Sequence, residues 1–344
     1  GGDPPRWMRL RLGWIGCLWA VAWIWGVQAS PPTPVAVLAP LPVVMPWVQT
    51  LRAQPDQTPV FAKDVLQEAQ ASAQDPARLG QAWQALSRWA GVPVQPVGLE
   101  LPGLATGSSD PLQRALMRLA KASGGPVLVA PSRRQVPEPL RSAWAQQIEA
   151  IVRARVQLDQ ALQEVYAAGP PELRTDPAAW ADGRAVLLRQ ALRGDFRPED
   201  PVDVRQWLGR VDRQALAEGM AGLLQAAVHL QRTLVQQAWP EQVWQQPTPW
   251  GLLRLDTTRR SGRYWVTDPL LWVSLGGDDH YRFGPRSAHN PISVFMDMRG
   301  HDEYVTAHDG VDPSVGFLGL GLLWDGAGRN HYSGTWLAQG AGFM

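Results

Sequence analysis

A chain of 344 residues that is 45% apolar can bury a sizeable core, has room for two or three domains, and is too apolar for wholesale disorder. Its 32 Lys and Arg nearly cancel its 31 Asp and Glu, which argues against a nucleic-acid partner. A single cysteine excludes an internal disulfide framework and a cysteine-based zinc site.

The first 29 residues read as upstream residues and a targeting segment that starts at Met8. Arg9 and Arg11 precede an uncharged, apolar run of 15 residues, Gly13 to Val27, and Val27-Gln28-Ala29 has the small residues of a cleavage site. This is the secretory pattern, and the run falls short of the ~20 residues of a membrane span. The expectation is export to the periplasm, cell surface or exterior, with membrane contact only through this segment before cleavage. Cys17 would leave with it. Residues 30–60 are rich in Pro, Val and Ala and read as an extended linker, with one short strand at Val35–Leu38.

Residues 61–240 carry helical periodicity and predict an all-helical domain. Asp75-Pro76, Asp110-Pro111, Asp176-Pro177 and Asp200-Pro201 have the form of helix starts. Asp caps a free helix N–H, and Pro lacks the N–H that would go unpaired. Gly91, Gly124, Gly169, Gly194 and Pro240 read as stops. Two long helices show wide apolar stripes, one from Leu140 through Val156 to Tyr166, the other from Val204 to Leu234. Their charged faces read as solvated. Gly125 to Pro131 reads as a short strand between breakers, followed by a basic turn, Ser132-Arg133-Arg134.

Beyond Pro249 the texture changes to Gly, Asp, His, Tyr and short apolar runs, and residues 250–344 read as repeats. Aligned on tyrosine, the units are Ser274-Leu-Gly-Gly-Asp-Asp-His-Tyr281, Asp297-Met-Arg-Gly-His-Asp-Glu-Tyr304 and Asp325-Gly-Ala-Gly-Arg-Asn-His-Tyr332. A degenerate earlier unit spans Leu253 to Tyr264, with Thr257 in the place of Ser274. Tyrosine-to-tyrosine steps of 17, 23 and 28 suit one turn of a β-solenoid with outward loops. Leu270–Val273, Val294–Met296 and Leu320–Trp324 would be strands stacking rung on rung. Gly277, Gly300 and Gly328 would supply positive φ at the corner, and Asp279, Asp302 and Asn330 would bond the local backbone. Tyr281, Tyr304 and Tyr332 would stack at the corner with wet hydroxyls. An antiparallel meander is the rival architecture. The expected fold class is thus α+β, an N-terminal all-helical domain followed by a C-terminal, parallel β-helix-like solenoid.

These repeats resemble those of uncharacterised secreted bacterial proteins with tandem Gly-Gly-Asp-Asp-x-Tyr and Gln-Gly-x-Gly-Phe-x-Gly-x-Gly-Leu-Leu-x-Asp units. The matching residues are Leu275 to Tyr281, Gly316 to Asp325 and Gln339 to Met344, about the last quarter of the chain. Gly342-Phe343-Met344 takes the place of Gly316-Phe317-Leu318, so the next rung stops after its opening residues and the expectation is a chain that continues. The resemblance implies export and repetition, and brings no known activity.

Three chemistries compete with a purely structural corner. Calcium is one, held by Asp279, Asp302 and Asn330, because the third unit approaches a calcium-binding nonapeptide. A histidine metal site would need His280, His301, His308 and His331 to share a register, which their spacing from the tyrosines denies. A glycan hydrolase or lyase would use a carboxyl pair drawn from Asp278, Asp302, Glu303, Asp309 and Asp312, but none of these pairs stands out from the repeat. The favoured reading is a secreted, non-catalytic surface, structural or binding protein. Its partner would be a cell-surface glycan or protein, met through the loops after Tyr281 and Tyr304.

Overall fold

A computed structural model describes residues 58–74, 109–168, 210–287, 290–307, 311–317, 319–334 and 342–343, with a few single positions between. The expected targeting segment, the Val35–Leu38 strand, the Asp75-Pro76, Asp176-Pro177 and Asp200-Pro201 helix starts and the Gly91, Gly169 and Gly194 stops lie outside them. Among the described residues no helix is long and apolar enough to cross a membrane.

The elements are α1 (Thr58–Gln74), α2 (Pro111–Ser123), α3 (Leu140–Ala161), α4 (Gln163–Ala168) and α5 (Arg213–Gln236), then eleven strands. Helix α2 starts and stops where its sequence directs. Asp110 accepts from the N–H groups of Leu112 and Gln113, Pro111 follows, and Gly124 closes the helix at φ 66°. Asp212 caps α5 in the same way, accepting from Gln214 and Ala215.

Strands β1 (Val243–Thr248) and β2 (Gly251–Asp256) form a hairpin. From β2 onward the chain alternates between two sheets. One takes β2, β4 (Pro269–Ser274), β6 (Ile292–Asp297) and β9 (Leu320–Asp325), all parallel. The other takes β3 (Arg263–Val266), β5 (His280–Phe283), β7 (Glu303–Thr306) and β10 (His331–Ser333), also parallel. A third, short parallel pair joins β8 (Gly316–Phe317) to β11 (Gly342–Phe343). The pairing of successive repeats is parallel, which removes the antiparallel meander.

Three layers result, and burial explains the sequence texture of each. Strands β4 and β6 are buried along their whole length, so they read as unbroken apolar runs. Leu253, Leu255, Leu271, Val273, Val294, Met296, Leu320 and Leu322 belong to one continuous apolar cluster with α2, α3 and α5. Gly219 of α5 sits so close to β9 that a Cβ there would stand 3.1 Å from Leu320 Cδ1. Trp144 of α3 meets Trp244 of β1 edge-on, ring centroids 4.9 Å apart. Helices α2, α3 and α5 therefore share a core with the first sheet. The other face of that sheet, with Trp272, Phe295 and Leu323, packs on Tyr281, Phe283 and Tyr304 of the second sheet. The second sheet's far face meets solvent, so β5 and β7 alternate between buried and more exposed positions.

Other expectations change as well. Gly125–Pro131 forms no strand. Leu128 turns inward, while Val127 and Val129 are exposed. Side chains hold the segment's backbone instead: Gln113 donates to Leu128 O at 2.8 Å and accepts from Ala130 N–H at 2.9 Å, and Arg141 donates to Pro131 O at 2.7 Å. Val156, counted in the apolar stripe of α3, is exposed, and small residues such as Ala150 and Ala154 fill the buried face. The tyrosines sit within the strands of the second sheet, not at the corner, and those of the middle rungs are buried with their hydroxyls. In the first unit it is Asp256 that pairs across from Ser274, so Thr257 lies one place out of register.

Candidate functional site

The repeat signature assembles into columns that run across the rungs. At the ends of the first-sheet strands Asp256, Ser274, Asp297 and Asp325 stand side by side. In the second sheet Tyr264, Tyr281, Tyr304 and Tyr332 pair in register, and their rings stack at centroid distances of 5.3, 5.3 and 4.7 Å. Between the two sheets lies the corner that carries Gly277, Gly300 and Gly328, at φ values of 128°, 147° and 136°. The rungs approach so closely here that a Cβ on Gly300 would run into the carbonyl oxygen of Gly277.

Two hydrogen-bond ladders clamp this corner. In the inner one a side chain accepts the backbone N–H of the preceding rung. Asp279 Oδ1 takes Gly262 N–H at 2.7 Å, Asp302 Oδ1 takes Asp279 N–H at 2.8 Å, and Asn330 Oδ1 takes Asp302 N–H at 2.8 Å. The outer ladder runs the opposite way. Ser261 Oγ accepts Asp278 N–H, Asp278 Oδ1 accepts His301 N–H, and His301 Nδ1 accepts Arg329 N–H, at 2.9, 2.8 and 2.9 Å. The corner residues named from sequence thus lie together along the stack.

Inside the corner three carboxylates converge. One oxygen each from Asp279, Asp297 and Asp302 lies within 4.8 Å of the others, and all three residues are buried. Tyr281 donates its hydroxyl to Asp279 Oδ2 at 2.8 Å and to Asp297 Oδ2 at 2.6 Å. Asp297 Oδ1 accepts Arg299 N–H at 3.2 Å. Charge balance fails here. On the flanking rung Arg254 pairs with Asp256 at 2.8 Å and lies over the rings of Trp272 and Tyr264. Among the described residues no ion pair reaches Asp279, Asp297 or Asp302. Burial therefore raises their protonation points. It holds Asp279 above the usual carboxylate range and Asp297 well above it, and pushes Asp302 up to about 7. Asp325, bonded by Tyr332 and Asn330, is pushed up by burial to about 6.

Such a group of buried, oxygen-only ligands could hold a metal ion. It differs from the sequence expectation in one member. Asp279 and Asp302 take part, but the third carboxylate is Asp297 from the strand end, while Asn330 closes the ladder and bonds Asp325. Asp297 stands in the repeat signature as the residue seven before the tyrosine. Only the phase of its strand shows that it points inward.

The described carboxyls weighed for glycan hydrolysis each hold another part of the fold. Asp302 is buried, and Asp278 caps a backbone N–H. Glu303 is bonded to His280 at 2.7 Å, and Asp312 caps the turn at Ser314. Asp309 lies outside the described residues. Comparison with known protein families, with curated proteins and with solved structures finds no match to this chain.

Proposed function

We propose that the chain is an exported, non-catalytic scaffold in which a β-solenoid presents loops to a surface glycan or protein. The observation that carries this reading is the fate of the repeated polar residues. They turn inward or bond from rung to rung and hold the register, so the repeat carries structure, and recognition is left to the loops between repeats. The loops after Phe283 and after Thr306 leave the second sheet at equivalent register positions, which puts them at one edge. They also hold each other. Arg286 donates to Val315 O at 2.9 Å, and Val311 N–H donates to Gly284 O at 3.1 Å. Export rests on the Arg9–Ala29 pattern.

The test is a glycan and cell-surface array probed with the full chain and with a variant whose residues 285–289 are replaced by a Gly-Ser run. Binding that the replacement abolishes, with no release of sugar from the bound glycan, supports the reading. Depolymerisation of any glycan, or no binding on either array, overturns it. A second reading, a calcium-stabilised repeat, is favoured by the converging carboxylates and draws on Asp279 and Asp302.

A further inference from the structure

The scaffold reading predicts that each rung repeats the polar contacts of the one before, and a buried pair of atoms on the middle rung departs from that rule. Tyr281 and Tyr304 are in register, with rings stacked 5.3 Å apart and 21° from parallel. Tyr281 satisfies its hydroxyl on Asp279 Oδ2 and Asp297 Oδ2. The equivalent atoms one rung on are Tyr304 Oη and Asp302 Oδ2. Both are buried, both residues are 2% exposed, and neither atom has a hydrogen-bond partner. Orphaned polar atoms at this depth are costly when nothing fills the gap, because water is gone and no partner replaces it. Parallel, in-register strands and stacked rings put the Tyr304 hydroxyl on the same side as that of Tyr281, toward the carboxylate group.

We propose that Asp279, Asp297 and Asp302 bind one calcium ion between two rungs, with the Tyr304 hydroxyl closing the site. This rests on the scaffold reading, because only stacked rungs bring the residues together. The ligands suit a hard cation. They are all oxygen, and calcium tolerates the irregular geometry that strand ends and corners provide, where magnesium demands a near-ideal octahedron. The site is also prepared in part. Asp279 Oδ1 and Asp302 Oδ1 are fixed by backbone N–H groups, Asp279 Oδ2 is held by the Tyr281 hydroxyl, and Asp302 Oδ2 is left without a partner. A divalent ion would replace the missing base on these rungs, as Arg254 serves Asp256, and would give Asp302 Oδ2 a partner. Because the ligands come from different rungs and are buried, the ion enters as the rungs close, so binding is coupled to folding.

The experiment uses the full chain, unfolded and refolded in chelator and then in calcium or terbium. Tyr281, Tyr304 and Trp272 lie within reach to sensitise terbium emission. Expected are sensitised emission that calcium quenches by competition, and a melting temperature higher by about 5 °C or more in millimolar calcium. Asp297→Asn and Asp302→Asn keep the hydrogen-bond acceptors and should weaken binding about tenfold or more. Asp278→Asn, on an exposed carboxylate of the outer ladder, should bind as the native chain does. Should Asp297→Asn not refold, Tyr304→Phe serves in its place and should lower terbium affinity. No sensitised emission, no calcium shift, or equal binding by the native and Asp297→Asn chains overturns the site. Cooperative unfolding that persists without any cation effect removes the metal and leaves the scaffold. Non-cooperative melting of the native chain in both media would remove the scaffold reading as well.

Discussion

The backbone N–H of Asp279 donates to Oδ1 of Asp302, 2.8 Å away and 23 residues further along the chain. That acceptor is what the fold asks of residue 302 in the absence of a cation. In chelator, Asp302→Ala leaves a buried N–H unpaired and should cost about 1–3 kcal/mol in urea unfolding. Asp302→Asn keeps the acceptor, as Asn330 does on the next rung, and removes a buried carboxyl, so it should be neutral or stabilising. Equal losses for the two variants would contradict this division.

Tyrosines 281 and 304 should respond differently to loss of the hydroxyl. Tyr281→Phe removes a donor shared by two buried carboxyls and should destabilise the cation-free chain by about 1.5–3 kcal/mol. Tyr304→Phe removes a buried hydroxyl with no partner and should leave that stability unchanged or raise it. A large loss at Tyr304 in chelator would mean that its hydroxyl is already satisfied.

Acidity should stabilise the cation-free corner. The folded chain holds Asp302 near 7 and Asp325 near 6, against the ordinary carboxylate value of 3.8, because burial disfavours their charge. Groups whose folded values are raised bind protons more tightly in the native state, so stability declines as pH rises. The contribution is complete below 3.8 and is lost as pH climbs through about 6 and about 7. Asp279 and Asp297 act in the same direction, with Tyr281, Tyr304, Tyr332 and Asn330 as the polar neighbours. Melting in chelator across that window should show a falling temperature. Saturating calcium, which takes the ionised form, should flatten or reverse the slope.

Helix α2 is tied to α3 by Asp110, which caps its own helix and pairs with Arg141, a residue 2% exposed. Asp110→Ala should cost about 3 kcal/mol, because it strands a buried guanidinium as well as a helix end. Asp110→Asn keeps the cap and should cost less. The hydrogen bonds from Arg141 hold the Asp110 carboxyl below its ordinary range, so its stabilising share is present above 3.8 and falls away only in stronger acid. Circular dichroism melts of both variants at neutral and acid pH would check the order.

Gly300→Ala should be among the most damaging single changes. It places a Cβ against the Gly277 carbonyl at a φ of 147°, and a loss of about 3 kcal/mol or more is expected. An unfolding midpoint within error of the native chain would refute the close approach.

The sequence showed the columns well and the layers poorly. Gly300, Asp302 and Tyr304 were visible because each satisfies a local demand that recurs at the same offsets. The second sheet escaped notice because its strands, such as His280–Phe283, are short and alternate with polar residues. That alternation is the mark of a half-solvated face, and a corner looks much the same. Asp297 was counted in the repeat but not among the ligands, since strand phase decides whether it faces the helices or the second sheet. The role of Gln113 as substitute partner for residues 128 and 130 depends on a contact between separate segments and left no local trace. The shared core of helices and first sheet was hidden for the same reason. An apolar helix stripe does not say what covers it.

The opposed ladders at the corner have a consequence for how such a chain can vary. Their bonds join residues 17, 23 and 28 apart, yet in the inner ladder every rung meets its neighbour through a side-chain Oδ1 and a backbone N–H. The corner works like a zipper tooth, engaging only the tooth beside it and indifferent to the length of fabric between. Excursions between teeth can lengthen, shorten or change chemistry without disturbing the closure, which lets one spine carry many different surfaces.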